Sequence, residues 1–393
     1  MDRFRFMPSY HYYNDSTGAI ETRYKKPLRD YQISGNSFQD GTPSPDNPIE
    51  IQSVGEKTAN LFDINSIDKM IISGGNNITA YMKNENGILT NNMADYGGYT
   101  GYVVSMQLEK GLYCLSLDVR FIKELGGISI SFNFDTTTRQ YFSSTLFGLD
   151  WNRVFYIFEI VEDTEITSWN FCPSGHASNY LSRQAQFTNI MLSQINNENE
   201  HPEFEPYGKY KIPIEVNDEI YNIFLDEPLR KCGDYADYID FKNGKVVRNI
   251  NKRYLSDSVT TGTQYANGLC RLQNSIPNTN YTVAPISNCM VGSKKLSAYA
   301  NALSLVDEYK NLYAYFYVSK VGLEPVEKTT TNAEIGAAIK SYVTDKNIYF
   351  YHVFKTPTET AIELPKPLLN KGTNIIKVKT ATEPSEVNWQ YYK

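Results

Sequence analysis

Short runs of alternating apolar and polar residues, broken by Gly, Asn, Asp and Pro, occupy most of the chain. Apolar residues at every second position place one face of a strand in a core, whereas in a helix they recur about every 3.6 residues. Residues 154–160, VFYIFEI, form a nearly continuous apolar run, which predicts a buried strand. Residues 98–120 hold two alternating runs around Lys110 and Gly111, which predicts a β-hairpin. The pattern as a whole predicts a mainly β protein.

Helical spacing is confined to the last third of the chain. Thr331 and Glu334 form a capping box, and apolar residues follow at the spacing of one helix face, which predicts a helix over residues 332–345. A strand is predicted directly after it, at residues 348–354, so this region is expected to be α+β. A second helix is predicted over about 296–310.

The domain organisation follows from length and from two linker-like segments. A chain of 393 residues is long enough for two or three domains. Pro-rich residues 41–48 and Asn-rich residues 196–202 cannot continue a strand or helix, and they bracket a segment of domain size. The fold class expected is a multidomain β-sandwich or jelly roll with a small α+β C-terminal domain. The expected domains are an N-terminal β platform at 1–57 that packs with its continuation at 208–250, a jelly roll at 58–207, and a C-terminal β-rich domain at 251–393.

Composition excludes several classes of partner. The net charge is -6 and the basic residues form no long run, so a nucleic-acid partner is not expected. The five cysteines are odd in number and lack metal-ligand spacing, which argues against a disulfide framework or a zinc site. No signal peptide and no membrane-spanning stretch is predicted. The excess of Tyr, 31 residues, suits broad sheets and aromatic surfaces.

No catalytic motif stands out. A glycosidase needs two facing carboxylates, and with 44 Asp and Glu no pair is specific enough to name. The four histidines are far apart, and no nucleophile elbow or phosphate-binding loop is present in the sequence. Asp46 and Asn47 stand between prolines and are read as turn formers rather than as calcium ligands. The sequence therefore predicts a protein that is not an enzyme, with no cofactor and no metal.

Ligand binding needs no such motif, because sugars are held by flat aromatic rings and a few polar side chains. Trp169 stands in a predicted strand and is expected in the core. Trp151 lies in a polar turn, which leaves core packing and ligand contact both open. The candidate ligand-binding residues are Trp151, Asn152, Tyr141, Arg139, Tyr99 and Tyr102.

Specific sequence blocks resemble a known group of proteins. The run FQDGTPSPDNPIEIQSVG at residues 38–55, followed by NLFD at 60–63, resembles a segment of tail and minor structural proteins from phages and prophages of low-GC Gram-positive bacteria. Blocks of the same style lie at 227–230, 237–241, 243–248, 349–351, 356–360 and 371–374, whereas residues 252–330 match little of this family.

A looser resemblance concerns residues 58–207 and the jelly-roll carbohydrate-binding modules. It is carried by LEKGLYCLS at 108–116, by the late strand FTNIML at 187–192 and by FEPY at 204–207. In those modules a Glu-Gly turn follows the late strand, and residues 193–196 depart from this. Because of this departure the resemblance does not determine whether residues 58–207 bind a ligand, since jelly rolls in virions are often structural.

Together the resemblances imply a virion structural protein of the tail, baseplate or a fibre-like appendage, assembled in the host cytoplasm. Its expected task is adhesion to a host-surface glycan. The expected partners are other virion proteins, further copies in a homo-oligomer (a trimer), and a bacterial cell-wall polysaccharide or teichoic acid. The alternatives are a purely structural baseplate, tail or capsid-fibre component without receptor binding, and a glycan depolymerase.

Overall fold

The computed structural model describes residues 9–14, 19–24, 32–66, 70–72, 82–92, 100–122, 126–134, 138–174, 184–216, 219–259, 262–265, 268–296, 299–323, 330–364 and 376–378. The chain divides into two compact units, which we treat separately. The inserted unit is Lys57–Lys209, and the framing unit is Met1–Glu56 together with Tyr210–Lys393.

Strands dominate both units. Those up to the start of the inserted unit are β1 (Ser9–Asn14), β2 (Ala19–Tyr24), β3 (Gln32–Ser34), β4 (Ser37–Phe38), β5 (Gln52–Ser53) and β6 (Glu56–Lys57). The inserted unit continues with β7 (Met70–Ile72), β8 (Met82–Glu85), β9 (Ile88–Asn92), β10 (Thr100–Leu108), β11 (Gly111–Phe121), β12 (Gly126–Phe134), β13 (Thr138–Phe147), β14 (Asn152–Ile160), β15 (Thr164–Ser174) and β16 (Gln184–Ile195). A 3-10 turn precedes β7 at Ile64–Ser66.

The rest of the framing unit holds the remaining strands and the α-helix. The strands are β17 (Tyr210–Val216), β18 (Glu219–Leu225), β19 (Lys231–Cys232), β20 (Tyr235–Ala236), β21 (Tyr238–Asp240), β22 (Lys245–Tyr254), β23 (Gly262–Tyr265), β24 (Leu269–Asn274), β25 (Ile286–Ser287), β26 (Val291–Ser293), β27 (Ala302–Val306), β28 (Asn311–Tyr317), β29 (Tyr349–Ala361) and β30 (Ile376–Val378). The helix α1 is Asn332–Asp345, and a 3-10 turn lies at Leu255–Ser258. The predicted mainly β fold class is confirmed.

The inserted unit is a sandwich of two five-stranded antiparallel sheets. Sheet I has the order β13-β12-β15-β10-β7, and sheet II has the order β14-β11-β16-β9-β8. Both sheets contribute to one apolar core, in which Leu115 and Phe187 of sheet II meet Phe132 and Trp169 of sheet I. Trp169 is fully buried, which confirms its expected core role. Burial of four large side chains contributes several kcal/mol, at about 1.5–3 kcal/mol each.

The predicted hairpin around Lys110 and Gly111 is wrong. The turn is present, but β10 pairs with β15 and β7, whereas β11 pairs with β14 and β16. The chain therefore crosses from sheet I to sheet II at this turn. The reason is burial: Leu108 before the turn and Tyr113 after it both enter the shared core. Alternation alone does not distinguish a hairpin from such a crossing, because both bury every second residue.

The two ends of the inserted unit are joined by Asn60. Its side-chain oxygen accepts from the backbone N–H groups of Phe62 (2.9 Å) and Leu192 (3.1 Å). Its amide nitrogen donates to the carbonyls of Ile190 (3.1 Å) and Glu205 (2.9 Å). Because the buried Asn60 amide makes all four of these hydrogen bonds, a different arrangement of the two ends would leave polar groups unpaired. Asn60 is the first residue of the NLFD block at 60–63.

The framing unit contains two larger sheets. Their orders are β25-β29-β22-β21-β3 and β23-β24-β28-β27-β26. Strand β3 pairs with β21, so residues from both sides of the inserted unit share one sheet. The expected boundary between residues 250 and 251 falls inside β22, which continues to Tyr254.

The predicted helix at 332–345 is confirmed as α1. Thr331 accepts from the Glu334 backbone N–H, and the Glu334 side chain accepts from the Thr331 N–H, as a capping box requires. Ile335, Ile339 and Val343 face a core that Phe350 of the following strand also enters. A Cβ on Gly262 would lie 2.7 Å from the Ile335 side chain, so the helix rests directly on β23.

The helix predicted over about 296–310 is wrong, because this segment contains β27. Leu303 and Leu305 are both buried in the core beneath α1, at the repeat of two that a strand requires. Asn301 before the strand and Lys310 after it have positive φ values of 57° and 53°, which end any regular repeat there. The helical spacing of Leu296, Leu303 and Val306 in the sequence is coincidental.

Candidate functional site

The outer face of sheet II, which points away from the core, carries the candidate site. Along β14, Val154, Tyr156 and Phe158 face the core, so the alternating residues Arg153 and Phe155 lie on the outer face. Trp151, just before β14, belongs to the same outward series. It is 38% exposed, so the indole is not a core residue.

Strand pairing brings Arg120 beside Trp151. In the antiparallel register Val119 lies opposite Asn152, so Arg120 on β11 falls opposite Trp151. The guanidinium carbon of Arg120 is 4.6 Å from the centroid of the Trp151 ring. Cation–π contacts of this kind contribute about 0.5–1 kcal/mol at exposed sites. The contact restrains the indole of Trp151, which stays 38% exposed.

A row of polar side chains continues from Arg120 across the sheet. Arg120 Nε donates to Gln186 Oε1 (2.8 Å) on β16, and Gln186 Nε2 donates to Thr90 Oγ1 (3.2 Å) on β9. The two terminal amino groups of Arg120 have no hydrogen-bond partner among the described residues. They are donors held in place and open to a ligand oxygen.

A second row lies one step further along the strands. Arg153 bonds to Asp118 Oδ1 (3.3 Å), Ser116 Oγ (2.7 Å) and the Asn189 carbonyl (2.7 Å). Asn189 Nδ2 in turn donates to Asp118 Oδ2 (2.6 Å). Asn189 has a φ of 48°, a left-handed conformation that asparagine tolerates, and the register between β11 and β16 shifts at this point. This row is internally paired and forms a rigid floor.

A third row is aromatic. The ring of Phe155 stacks on the imidazole of His201, with centroids 4.6 Å apart and planes inclined by 14°. His201 is exposed. The Arg153 guanidinium lies 5.8 Å from the rings of both Phe155 and Phe204.

Of the other residues proposed from the sequence, the structure describes the side chain of Asn152 alone. Asn152 is exposed, and its side chain donates to the Asp150 carbonyl (2.7 Å) as part of the turn. Arg139 and Tyr141 lie on β13 and Tyr102 lies on β10, which are strands of sheet I, and their side chains are outside the described residues. Tyr99 is also outside the described residues. Their part in a site with Trp151 stays a prediction.

Sequence reasoning missed Arg120, Gln186 and Thr90. They lie on three strands that are far apart in the sequence and are joined only by the register of sheet II. The signal available in the sequence was weak: Asp118 and Arg120 occupy the polar positions of an otherwise apolar strand, which marks a solvent-facing side.

A buried charged cluster in the framing unit is structural. The carboxylate of Asp237, which is fully buried, accepts from the backbone N–H groups of Asn249 and Ile250 (both 2.8 Å) and from Arg248 Nη1 (3.1 Å). Burial raises the pKa of Asp237, and the positive charge of Arg248 opposes the shift. These bonds attach Asp237, which lies just before β21, to residues 248–250 of β22. The buried carboxylate is not exposed to a ligand.

Thiol chemistry is suppressed in the described part of the chain. The four cysteines whose side chains the structure describes are buried and unbonded to one another: Cys114, Cys232, Cys270 and Cys289. Burial raises the pKa of Cys232 to about 12 and the pKa values of Cys270 and Cys289 to about 11, so these thiols stay protonated at neutral pH.

Around Asp46 and Asn47, Lys320 pairs with Asp46 (2.9 Å) and Ser44 bonds to Asn47 (3.0 Å), as in a turn.

The described residues contain no group of three or more His, Cys, Asp or Glu side chains that could hold a metal ion. Within the same residues, no helix has the length and apolar character needed to cross a bilayer.

Comparison with known sequences identifies no family. No protein-family model matches the chain, and no curated protein matches it significantly.

Comparison with solved structures finds mainly carbohydrate-binding modules. A family 11 module from Clostridium thermocellum, in complex with a β-1,3-1,4-mixed-linked tetrasaccharide, is 16% identical, with 37% of this chain and 99% of that chain covered and a TM-score of 0.26. A CBM4 module is 14% identical over 32% of this chain and 78% of that chain, with a TM-score of 0.24. The enzymatically active domain of tailspike protein 4 from bacteriophage CBA120 is 10% identical over 36% of this chain and 22% of that chain, with a TM-score of 0.22. Similarities this weak carry no argument about the site.

Proposed function

We propose that the outer face of sheet II binds a glycan, with the Trp151 ring as the surface on which a sugar stacks. The observation that carries this proposal is the exposed, flat indole held by Arg120 next to unpaired donors. The C–H face of a sugar matches an aromatic ring, and its hydroxyl groups match the donors of Arg120 and the amide of Gln186. Because Arg120 and Gln186 are already fixed, little ordering cost is added on binding.

We further propose that this site serves host attachment by a phage virion, through a cell-wall polysaccharide or teichoic acid. The support for the virion is the resemblance of residues 38–55 and 60–63 to phage tail and minor structural proteins. Several copies in one particle, as in a trimer, would convert weak sugar contacts into firm attachment. The role proposed is adhesion without catalysis.

A second candidate function is docking to another virion protein. It is favoured by Ile122 and Leu149, which are 39% and 54% exposed. The backbone bond from Phe121 N–H to the Gly148 carbonyl (3.0 Å) brings the ends of these two turns together, near Trp151. Exposed apolar side chains around an aromatic centre are typical of protein interfaces.

The test is binding of the full chain to isolated cell walls from a panel of low-GC Gram-positive bacteria, followed by chromatography of any released carbohydrate. Saturable binding without released sugars supports adhesion. No binding to any wall would contradict the glycan proposal and favour docking to a virion protein. Binding with release of soluble oligosaccharides would contradict the non-catalytic role.

A further inference from the structure

The outer face of sheet II presents two aromatic surfaces in line. Trp151, just before β14, and Arg153 and Phe155 on it alternate along one line, and two residues of a strand advance about 6.8 Å, so the Trp151 and Phe155 positions are about 14 Å apart. Phe155 is covered by His201, whose imidazole is nearly parallel to it at 4.6 Å. Because His201 is exposed, its outer surface is the second flat platform.

We propose that the site accepts a linear oligosaccharide that lies along β14, with one sugar on Trp151 and another on the imidazole of His201. This rests on the proposed glycan-binding function. A single sugar ring is far shorter than the separation of the two platforms, so one ring reaches only one of them. The ligand class is therefore an extended chain of several sugars.

The floor between the platforms is rigid. Arg153 lies midway and is bonded to Ser116 Oγ (2.7 Å) and to the carbonyl of Asn189 (2.7 Å), with Asp118 at 3.3 Å. Its planar guanidinium cannot swing out to cover either ring without losing these bonds. A chain laid across it meets a preformed surface, which lowers the ordering cost of binding.

The second platform is also held in place. Within residues 196–200, the Asn196 N–H donates to Glu200 Oε2 (2.9 Å), and the Glu200 N–H donates to the Asn197 carbonyl (3.1 Å). This turn fixes the backbone directly before His201. His201 also carries ring nitrogens that can bond to sugar hydroxyls, in addition to its flat surface.

The proposal is tested with oligosaccharides of graded length, released by partial acid hydrolysis from a wall polysaccharide that the full chain binds and separated by size. For the wild type, affinity should rise with length until the chain spans both platforms, and then level off. His201→Ala should weaken binding of the long fragments about tenfold and leave that of the shortest fragments unchanged. Trp151→Ala should weaken binding of both.

Two controls separate stacking from general effects. His201→Phe keeps a flat ring and should retain long-fragment affinity, and Glu203→Ala alters a neighbouring exposed residue and should change nothing. Wild-type affinity of His201→Ala for every length would overturn this inference and leave the glycan site at Trp151 standing. If Trp151→Ala also bound like the wild type, the proposed function itself would fall.

Discussion

The guanidinium of Arg120 lies 4.6 Å from the centre of the Trp151 ring. This contact joins a turn residue to the neighbouring strand, and the Arg120 bond to Gln186 extends it across the sheet. The contact restrains an exposed indole at the end of a turn, and a stacking site needs such a restrained ring.

Arg120→Lys should weaken glycan binding several-fold while leaving the fold intact. An ammonium group is compact and cannot both stack on Trp151 and donate to Gln186 in the geometry of a guanidinium. Isothermal titration with the wall polysaccharide measures the change. Arg253→Lys, at a partly exposed site in the framing unit, is the matched control and should bind like the wild type. Equal binding by both variants would exclude Arg120 from the site.

Phe62→Ala should destabilise the inserted unit by about 3–5 kcal/mol. Phe62 is 2% exposed, and its ring makes edge contacts with Trp169 at 5.4 Å and Phe171 at 5.9 Å. Urea unfolding followed by tryptophan fluorescence measures the loss. The adjacent Leu61 is 40% exposed, so Leu61→Ala should stay within about 0.5 kcal/mol of the wild type. Similar losses for the two variants would place Phe62 outside the core.

Thr331→Ala should destabilise α1 by about 1 kcal/mol, because it removes the acceptor for the Glu334 N–H. The free energy of unfolding of the full chain is the measurement. Thr330→Ala removes the neighbouring hydroxyl without touching the cap and should have little effect. If the two substitutions cost the same, the capping box does not stabilise the helix.

His352 should make the framing unit less stable in mild acid. Desolvation lowers the pKa of this buried imidazole from 6.5 to about 4. Because the folded pKa lies below the unfolded value, the unfolded chain binds the extra proton in this range. The stability contributed by neutral His352 is thus complete above pH 6.5 and is lost as the pH falls toward 4, by up to about 3 kcal/mol.

The comparison of wild type with His352→Gln tests this. As the pH drops from 7 to 4, the unfolding free energy of the wild type should fall relative to that of His352→Gln by up to about 3 kcal/mol, since glutamine does not titrate. Gln can still bond to Asn251 and Thr279, which contact the imidazole at 3.2 and 3.3 Å. Parallel curves would mean that His352 titrates alike in the folded and unfolded chain.

Sequence signals predict the structure correctly where a single segment determines it. The capping box at Thr331 and Glu334 and the apolar stripe after it determine α1 without reference to the rest of the chain. The burial of Trp169 followed from its position in an alternating strand. Such features depend on neighbours within a few residues.

Features that depend on distant pairing were not accessible. The turn at Lys110 and Gly111 looks like a hairpin, and only the position of β15 and β16 decides that it crosses between sheets. Likewise Trp151 was selected from its polar turn, but Arg120 and Gln186 join it through the register of β14, β11 and β16. A register shift of one residue would move these side chains to the core face. The site therefore depends on the register of the strands, which a single sequence does not determine.

The central claim is tested most directly by binding isotherms of the full chain and its Trp151→Ala variant on the same wall polysaccharide. Tyr299→Ala, which removes a highly exposed aromatic ring from the framing unit, is the matched control. The glycan site at Trp151 requires that Trp151→Ala bind at least tenfold more weakly than the wild type, while Tyr299→Ala binds normally. Unchanged binding by a folded Trp151→Ala protein would contradict it.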